Sequence, residues 1–276
     1  MDWSLVLASQ DIPHRIESPE TGGWELVLAT EDCGRALSAI HQYQLENRRW
    51  RWGQQVIAPG VLFDWGSLAW VGLIGLFFAF ETRVDLRPAG WLLPAAVAPG
   101  QWWRLFTAVW LHADLAHFAS NAAFGFLLLG LTMGRYGTGV GLLAAYLAGA
   151  GGNLARWLLV QNAEPSLGAS GLIMGCLGLL AVQALPLWRQ TPHSARLALG
   201  SLLAAVMLFV LVGLSPGADL LAHAGGFVAG LLLGGLATRL PNSARRPGLN
   251  AGCGFFFAVL VVWPWWLALR HAAQRP

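Results

Sequence analysis

Apolar residues gather in seven long runs, at about 62–80, 117–133, 139–160, 170–188, 195–214, 218–238 and 251–269, with short polar stretches between them. Each run approaches the ~20 residues that a helix needs to cross a ~30 Å hydrocarbon layer. The pattern predicts seven transmembrane helices. Residues 1–60 read differently. Short β-prone runs at 4–8 and 24–29 flank the turn-forming stretch from Ser18 to Gly23. Thr30 then stands where it can cap a helix reaching about Arg49. The expectation is a small strand–strand–helix unit facing water. Between the first two runs, residues 81–116 are too broken by proline and charge to span, yet rich in Trp and Leu. A structured segment in the outer interface fits that composition.

Composition agrees with a membrane protein: 56% of the chain is hydrophobic and 11% charged, against about 25% charged in soluble domains. A net charge of +3 is too small and scattered for nucleic acid. Cys33, Cys176 and Cys253 lie far apart and offer neither a disulfide framework nor metal-ligand spacing. The first ten residues lack the pattern of a signal peptide. Arginine bias sets the orientation. With the N-terminus inside, Arg48, Arg49, Arg51, Arg135, Arg189, Arg196, Arg239, Arg245 and Arg246 are internal, against Arg83, Arg87, Arg104, Arg270 and Arg275 outside. Trp50, Trp52, Trp188, Trp265 and Trp266 are expected near span ends, as an interfacial belt.

Polar side chains inside lipid mark sites or helix contacts. Here they are His117 and Asn121 on the second span, Ser170 on the fourth and His223 on the sixth. Those three spans run in the same direction, and all four residues fall near their outer ends. At 1.5 Å per residue they share a depth to within one or two helical turns. Ser170 opens a helix within Gly168-Ala-Ser-Gly171, where an N-cap or a packing role also explains it alone. His223 can serve as a base, or simply as an interhelical hydrogen-bonding group. Glycine stripes at 171, 175, 178 and at 226, 230, 234 would let the fourth and sixth helices approach closely. Free amides at the start of the fourth helix, with His117 and Asn121 one turn apart on the second, could stabilise an oxyanion. Asp219, four residues before His223, reads as a helix N-cap, and Arg156 as a snorkelling side chain.

Taken together, these motifs resemble the rhomboid family of intramembrane proteases. The matching residues are Trp103-Arg104, His112, His117-Phe-Ala-Ser-Asn121, Gly168-Ala-Ser-Gly171, and Ala222-His-Ala-Gly-Gly226 running on to Gly230. The resemblance implies an all-α polytopic fold with a six-helix core over 61–240; outside it, the sequence pattern adds an inner loop and a seventh transmembrane helix over 241–276 and a small N-terminal α/β cytosolic domain over 1–60. The resemblance also implies a serine endopeptidase acting on transmembrane protein substrates within the lipid bilayer, without metal or cofactor. Ser170 would be the nucleophile, His223 the base, and His117, Asn121 and the Ser170 amide the oxyanion donors. Gly168, Gly171, Gly226 and Gly230 would support the site, and Trp103, Arg104 and His112 would be structural. Substrate would arrive beside the fifth span and the loop at 215–218. Met174 stands where relatives often carry an aromatic that packs on the imidazole. The implied location is a prokaryotic inner membrane, with the N-terminus cytoplasmic and the site toward the outer side. Oligomeric state is left open.

The alternative is a weak or inactive rhomboid-like binder of transmembrane clients, favoured only by Met174. A transporter fits less well, since the polar groups cluster toward one face and not at the midplane. His112 and His117, five residues apart and without a His-Glu-x-x-His pattern, do not read as a metal site.

Overall fold

The computed structural model describes residues 2–18, 23–46, 62–161, 164–183, 192–214, 218–240 and 243–274. The chain divides into two compact units after Gly60. In the first, helix α1 (Asp2–Ser9) precedes antiparallel strands β1 (Arg15–Glu17) and β2 (Glu25–Val27), with Ile16 opposite Leu26. A 3-10 turn at Thr30–Asp32 leads into α2 (Cys33–Glu46). The run at 4–8, expected as a strand, is therefore helical. A short continuous apolar stretch fits either period, and packing decides: Leu7 is fully buried in a cluster with Ile12 and Ala36, while Leu5 stays exposed. Thr30 begins the 3-10 turn instead of capping, and the α-helix starts three residues later. The helix end expected near Arg49 lies outside the described residues. So do Arg48, Trp50, Arg51, Trp52, Trp188, Arg189 and Arg275.

Among the described residues of the second unit, the elements are helices, with one isolated bridge between Leu92 and Ser166. Its long elements are α3 (Ser67–Glu81), α7 (Leu115–Tyr136), α8 (Thr138–Leu159), α9 (Ser170–Ala181), α10 (Pro192–Gly213), α11 (Leu220–Ala237) and α12 (Pro247–Ala273). Between α3 and α7 lie the single-turn helices α4 (Arg87–Gly90), α5 (Pro94–Val97) and α6 (Arg104–Thr107). Helices α7, α11 and α12 are long and apolar enough to cross a membrane, and α3, α9 and the 199–213 part of α10 are shorter apolar helices.

Helix α9 is the hub, packed by α7, α8, α10 and α11. Every residue from Gly171 to Leu179 is buried, as an all-round apolar sequence demands. The described helix closes at Ala181, short of the expected 188, and residues 184–191 lie outside the described set. Against it, α11 brings Gly226 and Gly230 so close that a Cβ on either would strike the carbonyl oxygen of Gly171 or Gly175. No layer of side chains separates these two backbones.

The remaining contacts fix the periphery. Buried Arg104 ties the first loop together: Nε donates to Gln101 Oε1 (2.7 Å), Nη1 to Trp91 O (2.8 Å) and Nη2 to Pro88 O (2.9 Å). Helices α7 and α8 are joined by Gly137 alone, at φ +100°, a conformation that glycine takes without steric cost. That start of α8 is capped from another helix, because Asn250 Oδ1 of α12 accepts from Gly139 N (3.0 Å) and Val140 N (3.2 Å). Pro264 inside α12 has no N–H to give the Leu260 carbonyl. The Tyr146 hydroxyl, which accepts from Trp110 Nε1 at 3.0 Å, shares its proton between Phe106 O at 3.1 Å and that oxygen at 3.4 Å. Trp265, expected in an interfacial belt, is instead buried over Gly90, while Trp266 remains exposed.

Candidate active site

Ser170 is the first residue of α9, delivered by a segment pinned on both sides. Ser166 and Leu92 exchange backbone hydrogen bonds (2.8 and 3.0 Å), and Gly168 N donates to Ala108 O (2.9 Å). Gly168 sits at φ +131°, and a methyl group there would lie 2.7 Å from His117 Nε2 and 3.7 Å from Ser170 Oγ. Glycine is thus required twice, for its backbone and for the ring above it. The structure brings His117 and Ser170 to one spot.

The two histidines are held in complementary tautomers. His117 Nδ1 accepts from Ala113 N at 3.4 Å, which leaves the proton on Nε2, the atom over Gly168. His223 behaves the opposite way. Its Nδ1 lies 2.7 Å from the carbonyl oxygen of Gly213 at the end of α10. A carbonyl can only accept, so Nδ1 carries the proton and Nε2 keeps its lone pair. Asn121 is buried, and its Nδ2 has no hydrogen-bond partner among the described residues.

All four residues line one cavity of about 1050 Å³. Phe124, Ile173, Leu211 and Val212 supply apolar wall, and Arg156, Ser166 and Asp219 supply charge and polarity. Ser170 Oγ makes no hydrogen bond among the described residues, His223 included. Catalytic contacts often tighten only when substrate binds.

Comparison with known proteins gives the family. The family model of the Rhomboid domain matches residues 99–240. Rhomboid-like protease 3 of Toxoplasma gondii is 30% identical over 243 residues, covering 81% of this chain and 89% of that protein. This chain belongs to the rhomboid family. Rhomboid protease GluP of Bacillus subtilis is 33% identical over 223 residues (73% of this chain, 42% of GluP). RHOMBOID-like protein 6, mitochondrial, of Arabidopsis thaliana is 34% identical over 151 residues (54% of this chain, 48% of that protein). The matches therefore span less than half the length of these last two relatives. A rhomboid domain with apolar helices makes the protein a multi-pass membrane protein.

Around this rhomboid site the supporting residues fall as follows. Met174 is buried, with its sulfur 3.3 Å from where a methyl on Gly213 would stand. It backs the residue whose carbonyl holds His223. Gly171, Gly226 and Gly230 form the close α9–α11 contact. Trp103 is buried with its ring 5.3 Å from that of His271. His112 is fully buried, edge-on to His117 at 5.4 Å and near Phe118 at 5.6 Å.

Burial, reinforced by the neighbouring His117, pushes the His112 pKa down from 6.5 to about 4. Unfolded chain then binds more protons than folded protein between those values, so stability attributable to His112 is full above about 6.5 and falls as pH drops toward 4. Thermal midpoints measured across that window should fall on the acid side, and less steeply in His112→Gln. Identical slopes would count against the assignment.

One contact escaped the sequence reading: Arg156 Nε lies 3.0 Å from Asp219 Oδ2, while Nη2 donates to Glu164 O at 2.5 Å. Asp219 caps α11, as expected, through Oδ1 and Ala222 N (3.1 Å). It also receives the Ser166 hydroxyl on Oδ2 at 2.6 Å. The available signal was a lone arginine at the end of α8 and a lone aspartate opening α11. The Gly213 carbonyl carries no sequence signal, and the loop at 215–217 lies outside the described residues.

Proposed function

We propose that this rhomboid is an intramembrane serine endopeptidase that hydrolyses peptide bonds in or beside transmembrane segments of other membrane proteins. The observation that carries the reading is His223: its Nδ1 proton is committed to Gly213 O, which leaves Nε2 free as a base in the cavity that Ser170 also lines. In the reaction, His223 Nε2 takes the hydroxyl proton as Ser170 Oγ attacks the scissile carbonyl carbon. Negative charge on the carbonyl oxygen is met by His117 Nε2–H, Asn121 Nδ2 and the Ser170 amide. That amide is one of the free N–H groups at the positive end of α9. The protonated imidazole then gives its proton to the leaving amine. Water, deprotonated by the same Nε2, releases the acyl group. The dyad has no carboxylate; a helix-end carbonyl orients the imidazole.

The membrane arrangement in this proposal has six core spans within 61–240, a seventh at α12, and residues 1–60 as a small α/β domain in the cytoplasm. A 12-residue α9 covers about 18 Å, well short of a ~30 Å hydrocarbon layer. The reading sets its first residue at depth, in a wet notch opening to the outer side. A cell membrane with the N-terminus inside is the setting that the arginine distribution favours.

The rival reading, a client binder that does not cut, draws on Met174, which lacks a flat face to stack on the imidazole. A fluorophosphonate probe separates the two. Wild-type protein in detergent should be labelled, and Ser170→Ala should not. Absence of any Ser170-dependent labelling would favour the binder.

A further inference from the structure

The carboxylate of Asp219 joins three pieces of chain that the reaction needs in register. Its Oδ1 caps α11 through Ala222 N at 3.1 Å. One turn on, His223 N donates to the Asp219 carbonyl oxygen at 2.9 Å. Its Oδ2 accepts from Ser166 Oγ at 2.6 Å and pairs with Arg156 Nε at 3.0 Å. Arg156, from the last turn of α8, also holds Glu164 O at 2.5 Å. Residues 164–168 are the segment that delivers Ser170, and they are fixed on their other side by the Leu92–Ser166 bridge. A third-member role in a triad is closed to Asp219, because the imidazole nitrogen such a carboxylate would touch is already bound to Gly213 O.

We propose that Asp219 is a positioning residue. With Arg156 as its counter-ion, it clamps the segment leading into Ser170 to the first turn of the helix carrying His223, and so sets the hydroxyl–imidazole distance. The inference rests on the reading of Ser170 and His223 as nucleophile and base. The clamp is partly buried, with the two charged side chains 13% and 19% exposed. Desolvated charges of this kind hold geometry when paired and disturb it when one is removed. Displacement of about 1 Å between reacting groups costs on the order of 10²-fold in rate.

The test uses the full chain in detergent or liposomes, with a single-span substrate. Ser170 is titrated by a fluorophosphonate so that turnover is expressed per reactive serine. Asp219→Ala should lower kcat per titrated site about 10²-fold with KM nearly unchanged. Asp219→Asn, which keeps a good cap and an acceptor for Ser166 but leaves Arg156 without its counter-ion, should recover only part of that loss and stay roughly tenfold below the parent. Ser166→Ala, which leaves cap and ion pair intact, should lower kcat roughly tenfold. If Asp219→Ala does not fold, the Asn and Ser166 variants decide the matter alone. A purely structural role would lower the titratable fraction and the thermal midpoint while leaving kcat per site at the parental value, and that result overturns the proposal. Cleavage that survives in Ser170→Ala would instead overturn the underlying dyad, so the two failures are distinguishable.

Discussion

Ser170→Ala should abolish cleavage of a single-span test substrate by the purified protein, by at least ~10³-fold, with folding unchanged. The hydroxyl makes no hydrogen bond among the described residues, and its loss leaves no buried partner stranded. The neighbouring packing of α9 on α11 is made by backbone and glycine. His223→Ala should cost a similar factor for a different reason, since the nucleophile loses its proton acceptor. Groups that act as a unit are not additive, so the double variant should be no slower than either single one. Strong cleavage by Ser170→Ala protein, free of contaminating protease, would end the assignment of this residue as nucleophile.

Asn121→Ala should lower kcat on the order of 10²-fold, the scale of losing one oxyanion donor, with little change in KM. The same substitution should leave the thermal midpoint unchanged or raise it. Asn121 Nδ2 is buried without a partner among the described residues, and such a donor costs folding free energy. A residue that holds stability down while serving the transition state has this double signature. An equal loss of stability and rate would assign Asn121 to packing instead.

Much of this was legible because helix direction is a strong constraint. Once spans are counted, residues at the outer ends of the second, fourth and sixth must share a level, and the glycine stripes name the pair in closest contact. The structure brings His117 and Ser170 together on that basis, and seats the α9–α11 contact on Gly171, Gly175, Gly226 and Gly230. The N-terminal unit was read less well. Residues 4–8 are too few for their period to discriminate, and the burial of Leu7 that decides the matter depends on α2, thirty residues on. The Arg156–Asp219 pair was missed because each residue had a sufficient local explanation, while their meeting depends on how far α8 and α11 extend. The carbonyl of Gly213 was out of reach altogether: backbone oxygens are the same at every position, and only coordinates say which one is left free at a helix end.

The exchange of polar groups between α12 and the rest of the bundle has a consequence for how this chain can vary. Asn250 supplies amide acceptors that α8 lacks, and α8 in return sends Tyr146 to the oxygen bared by Pro264. The first contact completes the α8 backbone; the second is the longer of two that the Tyr146 hydroxyl makes. A shortened molecule ending before residue 247 would leave the Tyr146 hydroxyl its Phe106 carbonyl and Trp110 indole partners, and would take the Asn250 acceptor from the first amides of α8. The last helix thereby finishes the first turn of α8.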